Sequence, residues 1–398
     1  VRPRRGRGCL KDEVAPFHFL VTAGVRHRSL DPFSGHPYVG RPLTMHIEEF
    51  DFDLPDDLVA QYPAERRDAS RLMALCRHEG RVEHMTFSDV IDHLRPEDVL
   101  VLNETRVVPA RLRGRKERTG GRIELLLLRR DTGAGTWLAL ARPLRGLQPK
   151  DVIQLDRGGG RVVVVERIGD RLRLRLPEDG SVQDASDPTG FAGLLPMARE
   201  AGEIPLPPYI RRAPESIDAE RYQTVFARDP GSIAAPTAGL HFTDDLLEKV
   251  QERGVALERL VLHVGPGTFE PVRSDDPRDH HLEAEYYRVS EPTTQVIRER
   301  RRAGGRCIAI GTTTVRTLET CAAGGDLRPG EGWTDLLICP PHQFQVVDAM
   351  VTNFHLPRSS LLLLVSALAG QEHLLAAYRL AVAEGYRFYS YGDAMFIH

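Results

Sequence analysis

No apolar run in the 398 residues approaches the roughly 20 that a membrane-spanning helix needs. The strongest, Leu361–Val365 inside Ser359–Gly370, falls far short, and no membrane segment is expected. Cysteine is scarce. The five are Cys9, Cys76, Cys307, Cys321 and Cys339, and no two form a Cys-x-x-Cys pair. That argues against a zinc ribbon or a cysteine-held iron–sulfur cluster. An odd count at wide spacing fits a reducing cytoplasm, with the thiols buried as structural residues. A Gly-x-Gly-x-x-Gly turn with an acidic residue about 20 positions on is absent, as is a Walker lysine, so neither nucleotide fingerprint applies. There is no internal repeat.

What is present is ordinary globular composition, 41% hydrophobic and 27% charged, enough for about two or three domains. Residues 1–44 stand apart. They open as VRPRRGRG and stay rich in Pro, Gly and Arg through Pro42, and Phe17–Val25 is too weakly apolar for a signal peptide. With Val leading and Met45 a natural alternative start, 1–44 is expected to be a disordered extension, dispensable for fold and rate. Charge is uneven as well. The chain carries −3 overall, but 111–177 holds 17 Lys/Arg against seven Asp/Glu, a net of +10. With +5 in residues 1–44, the rest of the body is left near −18.

From Arg111 to Leu176 the pattern has period two. Arg122–Leu128, Trp137–Ala141, Arg161–Val165 and Arg171–Leu176 are separated by glycine-rich breaks, which predicts a small antiparallel barrel or sheet. In the last of these, alternation puts Arg171, Arg173 and Arg175 on one face and leucines on the other. Elsewhere strands alternate with helices. Val99–Leu102, Val255–Val264, Arg306–Ile310, Trp333–Cys339 and Ala394–Ile397 read as strands. A helix capped by Thr243 ends at Gly254; Pro292–Ala303, Thr313–Ala323, Ser359–Ala369 and Glu372–Glu384 are further helices. The expectation is an α/β fold, a layered α/β main domain on a largely parallel sheet with an inserted small antiparallel β-barrel domain. Its parts would be 45–110, the insertion 111–203, and 204–398.

Polar clusters recur at element edges, where α/β proteins bind ligands. Asn103, Thr105 and Arg106 follow a strand. Gly311-Thr312-Thr313 opens a helix with Arg316 near its start, which can hold an anion or simply cap the helix. Thr237, Gly239 and His241 precede the Thr243 cap. His263, Gly265, Gly267 and Thr268 follow another strand, and Thr352, Asn353 and His355 a third. Histidine titrates near neutrality, so three at element edges invite acid–base chemistry, although each alone suits a core or a turn equally well.

Taken in order, nine blocks resemble the S-adenosylmethionine:tRNA ribosyltransferase-isomerase family of queuosine biosynthesis. They are NETRVVPARL (103–112), GGRIELLLL (120–128), IPLPPYI (204–210), ERYQTVFA (220–227), APTAGLHF (235–242), LHVGPGTF (262–269), IAIGTTTVRTLE (308–319), VTNFHLPRSSLLLLVSALAG (351–370) and YRFYSYGDAMFI (386–397). The resemblance runs from about Phe50 to Ile397. It departs from the family at Pro340-Pro341-His342, where Pro-Gly-Tyr is common. It departs again at His280–Glu285, where Glu283 takes the second His position of His-x-Met-His-x-Glu and Glu285 fits.

The resemblance implies transfer of the ribosyl group of S-adenosylmethionine onto 7-aminomethyl-7-deazaguanine at the tRNA wobble position. The products would be epoxyqueuosine-tRNA, adenine and methionine. It also implies a cytoplasmic enzyme, expected as a monomer, with no metal. The sulfonium acidifies the ribose C5′ protons, a base removes one, and an acid helps adenine leave before the amine attacks. His241 or His355 is expected as acid/base, with Glu285 and Asp393 as electrostatic partners. Asn103, Thr105, Arg106, Thr237, Gly239, His263, Gly265, Gly267, Thr268, Gly311, Thr312, Thr313, Arg316, Thr352 and Asn353 are expected to bind substrate. The basic barrel would hold tRNA through Arg111, Arg113, Arg171, Arg173 and Arg175. The rival readings are a methyltransferase using the same cofactor, against which the missing glycine-rich loop counts, and a non-catalytic tRNA binder, for which the barrel would suffice.

Overall fold

A computed structural model describes residues 45–131, 135–177, 189–269 and 271–398, leaving out the side chains of Thr268 and Phe269. The expected extension 1–44 lies outside the described residues. Strand alternation sorts the body into layers. In Val99–Asn103, Val99 and Val101 join one buried cluster, and Leu100 and Leu102 another. Arg71–Leu75, Cys307–Ile310, Ala349–Asn353 and Ala394–Ile397 alternate in the same way. One face packs under the helices Glu291–Arg302, Thr312–Cys321, Ser360–Ala369 and Gln371–Ala383. The other packs under Asp244–Glu252, Phe87 and Phe242. The Thr243 side chain caps its helix by accepting from Leu246 N, as the sequence led one to expect.

The sheet between these layers has nine strands, in the order 330–334, 285–289, 256–262, 99–103, 307–310, 349–353, 394–397, 71–75 and 82–86. It is mixed rather than largely parallel. The four central strands from 256–262 to 349–353 run parallel, as do 394–397 and 71–75, while the other four pairings are antiparallel. Two strand expectations also shift. The run read as Trp333–Cys339 is a strand over Gly330–Thr334 paired with Glu285–Val289, and Val255–Val264 shortens to Ala256–Leu262.

Six antiparallel strands, 111–116, 122–131, 136–142, 171–175, 161–168 and 152–155, close into a barrel through the pairing of 111–116 with 152–155. Its interior is apolar, with Leu125, Leu127, Ala139, Ile153, Val162, Leu172 and Leu174 buried. The helix Phe191–Ala201, which has no strong sequence signal, plugs it with Phe191 against Trp137, ring centroids 5.0 Å apart. The short strand Gly202–Glu203 then pairs with Leu112 and Arg111 at the start of the barrel. A Cβ on Gly202 would lie 1.9 Å from the Pro109 carbonyl oxygen, so only glycine permits this approach. Among the described residues no single helix is long and apolar enough to cross a membrane.

Candidate active site

The four parallel strands end on one edge, and their following segments converge there: Glu104–Arg106, His263–Gly267, Gly311–Thr314 and Phe354–His355. The antiparallel strand Ala394–Ile397 starts at the same edge, with Asn353 opposite Ala394, which brings Tyr389 and Ser390 alongside. A cleft opens between these segments. Its walls include Tyr209, Pro236, Thr237, Thr312, Asn353 and His355.

Two backbone features shape it. Gly311 has φ +91° at the start of the Thr312–Cys321 helix, so the chain turns sharply there and presents the first-turn N–H groups to the cleft. Tyr389 is left-handed at φ +71°, a conformation uncommon for a non-glycine residue and found at sites that the surrounding structure holds in place.

Asn353 is buried, and its amide is fixed. Its Nδ2 donates to the Tyr389 carbonyl at 3.1 Å and to His241 Nε2 at 3.1 Å. Because Tyr389 O can only accept, the amide cannot be flipped, and His241 Nε2 must be an acceptor. His241 therefore carries its proton on Nδ1 and donates it to Ser70 Oγ at 2.7 Å. Its ring stacks on Phe87, and burial pushes its pKa down to about 3, with repulsion from Arg387 and Arg67 adding. Both ring nitrogens are thus occupied, and His241 does not line the cleft. Asn353 Oδ1, by contrast, is buried with no hydrogen-bond partner.

His355 does line the cleft. Its Nε2 is 2.7 Å from Thr352 Oγ1, its backbone N–H donates to Tyr378 Oη at 3.0 Å, and burial pushes its pKa down to about 3. The ring is neutral at pH 7.

Thr237, Gly311, Thr312, Thr313, Thr352 and Asn353 are therefore brought together in one cleft. Gly239 lies outside it, packed against Phe226 and Thr224. Asn103 lies behind the wall: its side chain binds Leu262 N and O, Thr105 N and Thr313 Oγ1. Thr105 Oγ1 lies 2.8 Å from His263 Nδ1, and Arg106 donates to Ala227 O at 2.6 Å. Asp393, also outside, accepts from the backbone of Arg71 and Arg387. The Thr268 side chain lies outside the described residues.

A second cavity adjoins the first, and Val264 lines both. Its walls come from the body (His263, Gly265, Glu285, Trp333) and from the barrel (Arg129, Arg171). Glu285 accepts from Gly265 N at 2.7 Å and is ion-paired with Arg316, which also donates to Leu336 O at 3.0 Å. Arg316 thus faces Glu285 and lines, with Gly267, a third and smaller cavity instead of the main cleft.

The barrel arginines are largely engaged. Arg171 pairs with Glu283 across the junction, and Arg173 pairs with Asp131 and Glu166. Arg111 donates to Leu206 O, and Arg113 lies 3.2 Å from Glu203. Arg175 is exposed, with no ion pair among the described residues. Sequence reasoning did not single out Ser70, Tyr209 or Trp333. Tyr209 sat in a recognised block, whereas Ser70 and Trp333 carried no local signal.

An α/β body with a cleft at the carboxyl edge of its sheet, joined to a small closed barrel, places a ligand site where enzymes of this architecture carry theirs. The family model described as "Queuosine biosynthesis protein" matches residues 47–397, and the chain belongs to that family. Relatives named S-adenosylmethionine:tRNA ribosyltransferase-isomerase from Pelobacter propionicus and Geotalea uraniireducens are 51% and 49% identical to it, each over 89% of this chain and their own full length. The crystal structure of S-adenosylmethionine tRNA ribosyltransferase from Thermotoga maritima is similar at 39% identity and TM-score 0.50, over 88% of this chain and all of that one.

Proposed function

We propose that this chain is an S-adenosylmethionine:tRNA ribosyltransferase-isomerase that moves the ribosyl group of S-adenosylmethionine onto 7-aminomethyl-7-deazaguanine at the tRNA wobble position, releasing adenine and methionine. Family membership supports the activity, and the cleft built around Asn353 is the single structural observation that carries the site. Its Oδ1 is buried and unpartnered, and leaving it so costs about 1–3 kcal/mol, which a donor from the ligand or from an ordered water would recover. S-adenosylmethionine offers an exocyclic amine, ribose hydroxyls and an ammonium. Its carboxylate fits the first-turn N–H groups at Gly311–Thr313.

His355 is the proton carrier of this reading. Neutral at pH 7, it accepts the C5′ proton made acidic by the sulfonium. Its conjugate acid, strong because burial disfavours the charge, hands that proton to the departing adenine. The amine nitrogen, first giving up a proton to water, bonds to the ribosyl carbon and loses a second proton to water as the carbon–nitrogen bond forms; a ribose oxygen closes the epoxide, and the carbon–sulfur bond breaks to release methionine. Ser70 and His241 hold Asn353 in place. The body formed by 45–110 and 204–398 holds S-adenosylmethionine, and the insertion 111–203 offsets the repulsion between an acidic body and tRNA. The protein acts as a cytoplasmic monomer without a metal.

Incubation with S-adenosylmethionine and precursor tRNA should release free adenine. Appearance of S-adenosylhomocysteine would make the chain a methyltransferase, and unchanged cofactor would make it a binder. In single turnover, His355→Ala should lose most of the rate while His241→Ala loses less. A near-wild-type rate for His355→Ala would remove histidine from the chemistry.

A further inference from the structure

The cavity between barrel and body lies beside the donor cleft and is built from parts suited to a nucleobase. Trp333 lies at its mouth on the edge strand Gly330–Thr334 and is 43% exposed, whereas the protein's other tryptophan, Trp137, is 6% exposed in the barrel core. A large aromatic ring with this much of its surface open on a sheet edge has a face free for a ligand. Stacking a base on such a ring is a recurrent way to bind single-stranded RNA.

The ring is also held in place. Trp333 stands opposite Tyr286 in the strand register and packs edge-on against it, centroids 5.9 Å apart. Tyr286 in turn stacks on His263 at 5.7 Å. These three rings form a rail running inward from solvent to Val264, the residue this cavity shares with the donor cleft. The Arg129 guanidinium of the barrel lies 5.1 Å from the Trp333 ring centroid.

Charge is distributed to match a particular base. Arg129 and Arg171 come from the barrel strands, while Glu283 and Glu285 come from the body at the inner wall. Glu283 is only partly covered by its pairing with Arg171, its side chain remaining 38% exposed, and a carboxylate can accept from more than one donor. Arginines from the barrel and carboxylates from the body facing one cavity suit a nucleotide whose phosphate meets the former and whose base carries a positively charged amine for the latter.

We infer that this cavity is the acceptor-base subsite. A splayed-out purine-like base of single-stranded RNA stacks on Trp333, and its protonated aminomethyl substituent points at Glu283 and Glu285. The inference rests on the transferase reading and adds to it the place where the second substrate sits. Donor and acceptor then lie in cavities that adjoin at Val264, so the amine meets the ribosyl group without either substrate crossing the body.

The test uses the whole protein and an anticodon stem–loop with either 7-aminomethyl-7-deazaguanine or guanine at the wobble position. With only two tryptophans, one buried, iodide quenching reports on Trp333. The aminomethyl stem–loop should shield it, and Trp333→Phe should abolish the shielding. Trp333→Ala should raise the KM for tRNA roughly tenfold, the loss expected for one stacked base, and leave the KM for S-adenosylmethionine unchanged. Glu283→Gln should narrow the preference for the aminomethyl over the guanine stem–loop. Tryptophan equally open to iodide at saturating stem–loop, or an unchanged KM for tRNA in Trp333→Ala, overturns the subsite while leaving the transferase activity standing. Absence of both tRNA binding and adenine release in the wild-type protein overturns the activity and the subsite with it.

Discussion

Lowering the pH from 7 to 5 should destabilise this protein well before its carboxylates titrate, and His241 is the residue to watch. Its pKa is held at about 3 in the folded chain and returns to about 6.5 on unfolding. The unfolded state therefore binds more protons throughout that interval. The stability His241 contributes as a neutral ring is present above pH 6.5 and is lost as the pH falls toward 3. One pKa unit corresponds to about 1.4 kcal/mol, so each such histidine should cost about 2 kcal/mol between pH 7 and pH 5. His355 is shifted equally far by burial, and the pair should account for about 4 kcal/mol. His398 is lowered too and acts in the same direction. Asp98 and Asp218 have depressed values, so their contribution is lost only as the pH drops below about 4. Urea unfolding of wild type and His241→Gln across pH 5–7 isolates the effect, because the variant should lose about one proton's worth of slope. Selectively labelled histidine should show a His241 ring resonance that does not titrate above pH 5. Parallel stability curves, or a His241 midpoint near 6.5, would refute the argument.

Three further outcomes are expected. Asp218 is fully buried, receives two hydrogen bonds from Arg212 and one each from Tyr391 Oη and Glu215 N, so Asp218→Ala should cost about 3–5 kcal/mol in denaturant unfolding; under 1 kcal/mol would mean that the cluster relaxes freely. A Cβ on Gly311 would find room, 3.6 Å from the nearest atom, so Gly311→Ala should lose only the roughly 1–3 kcal/mol of backbone strain while raising the KM for S-adenosylmethionine, and an unchanged KM would argue that the turn is merely a cap. Asn353→Asp replaces the donor facing His241 Nε2 with a carboxylate oxygen, which should raise the His241 pKa toward neutrality; a resonance that still fails to titrate would contradict the assigned tautomer.

Much of this architecture could be read from the chain because it rests on local rules. Alternation in Arg171–Arg175 and its neighbours marked the barrel, and the Thr243 cap marked a helix. Failures came where partners decide. The strand expected over Trp333–Cys339 lies instead over Gly330–Thr334, because that is where Glu285–Val289 pairs with it. Phe191–Ala201 contains Gly193 and Pro196, both poor in helices, and is held by the barrel mouth it fills. At the site, element edges pointed to segments that converge on one cleft because parallel strands share a carboxyl edge. Side-chain roles did not follow from position. Nothing in the sequence says that both nitrogens of His241 are occupied while Asn353 keeps an unpaired oxygen, or that Arg171 reaches Glu283.

The pairing of Gly202–Glu203 with Leu112 and Arg111 brings the outgoing and returning chain of the barrel side by side. A module joined in this way is interchangeable in principle. Replacing it by a short turn from Pro109 to Ile204 would leave the spacing of the surrounding body untouched, since neither end would have to move. The ancestral sheet and its cleft could therefore have existed before the barrel was acquired, and substrate range could be altered by exchanging the module. The narrowest place in that attachment tolerates no methyl group, so a family that diverges widely in its barrel surface should still hold to glycine at position 202.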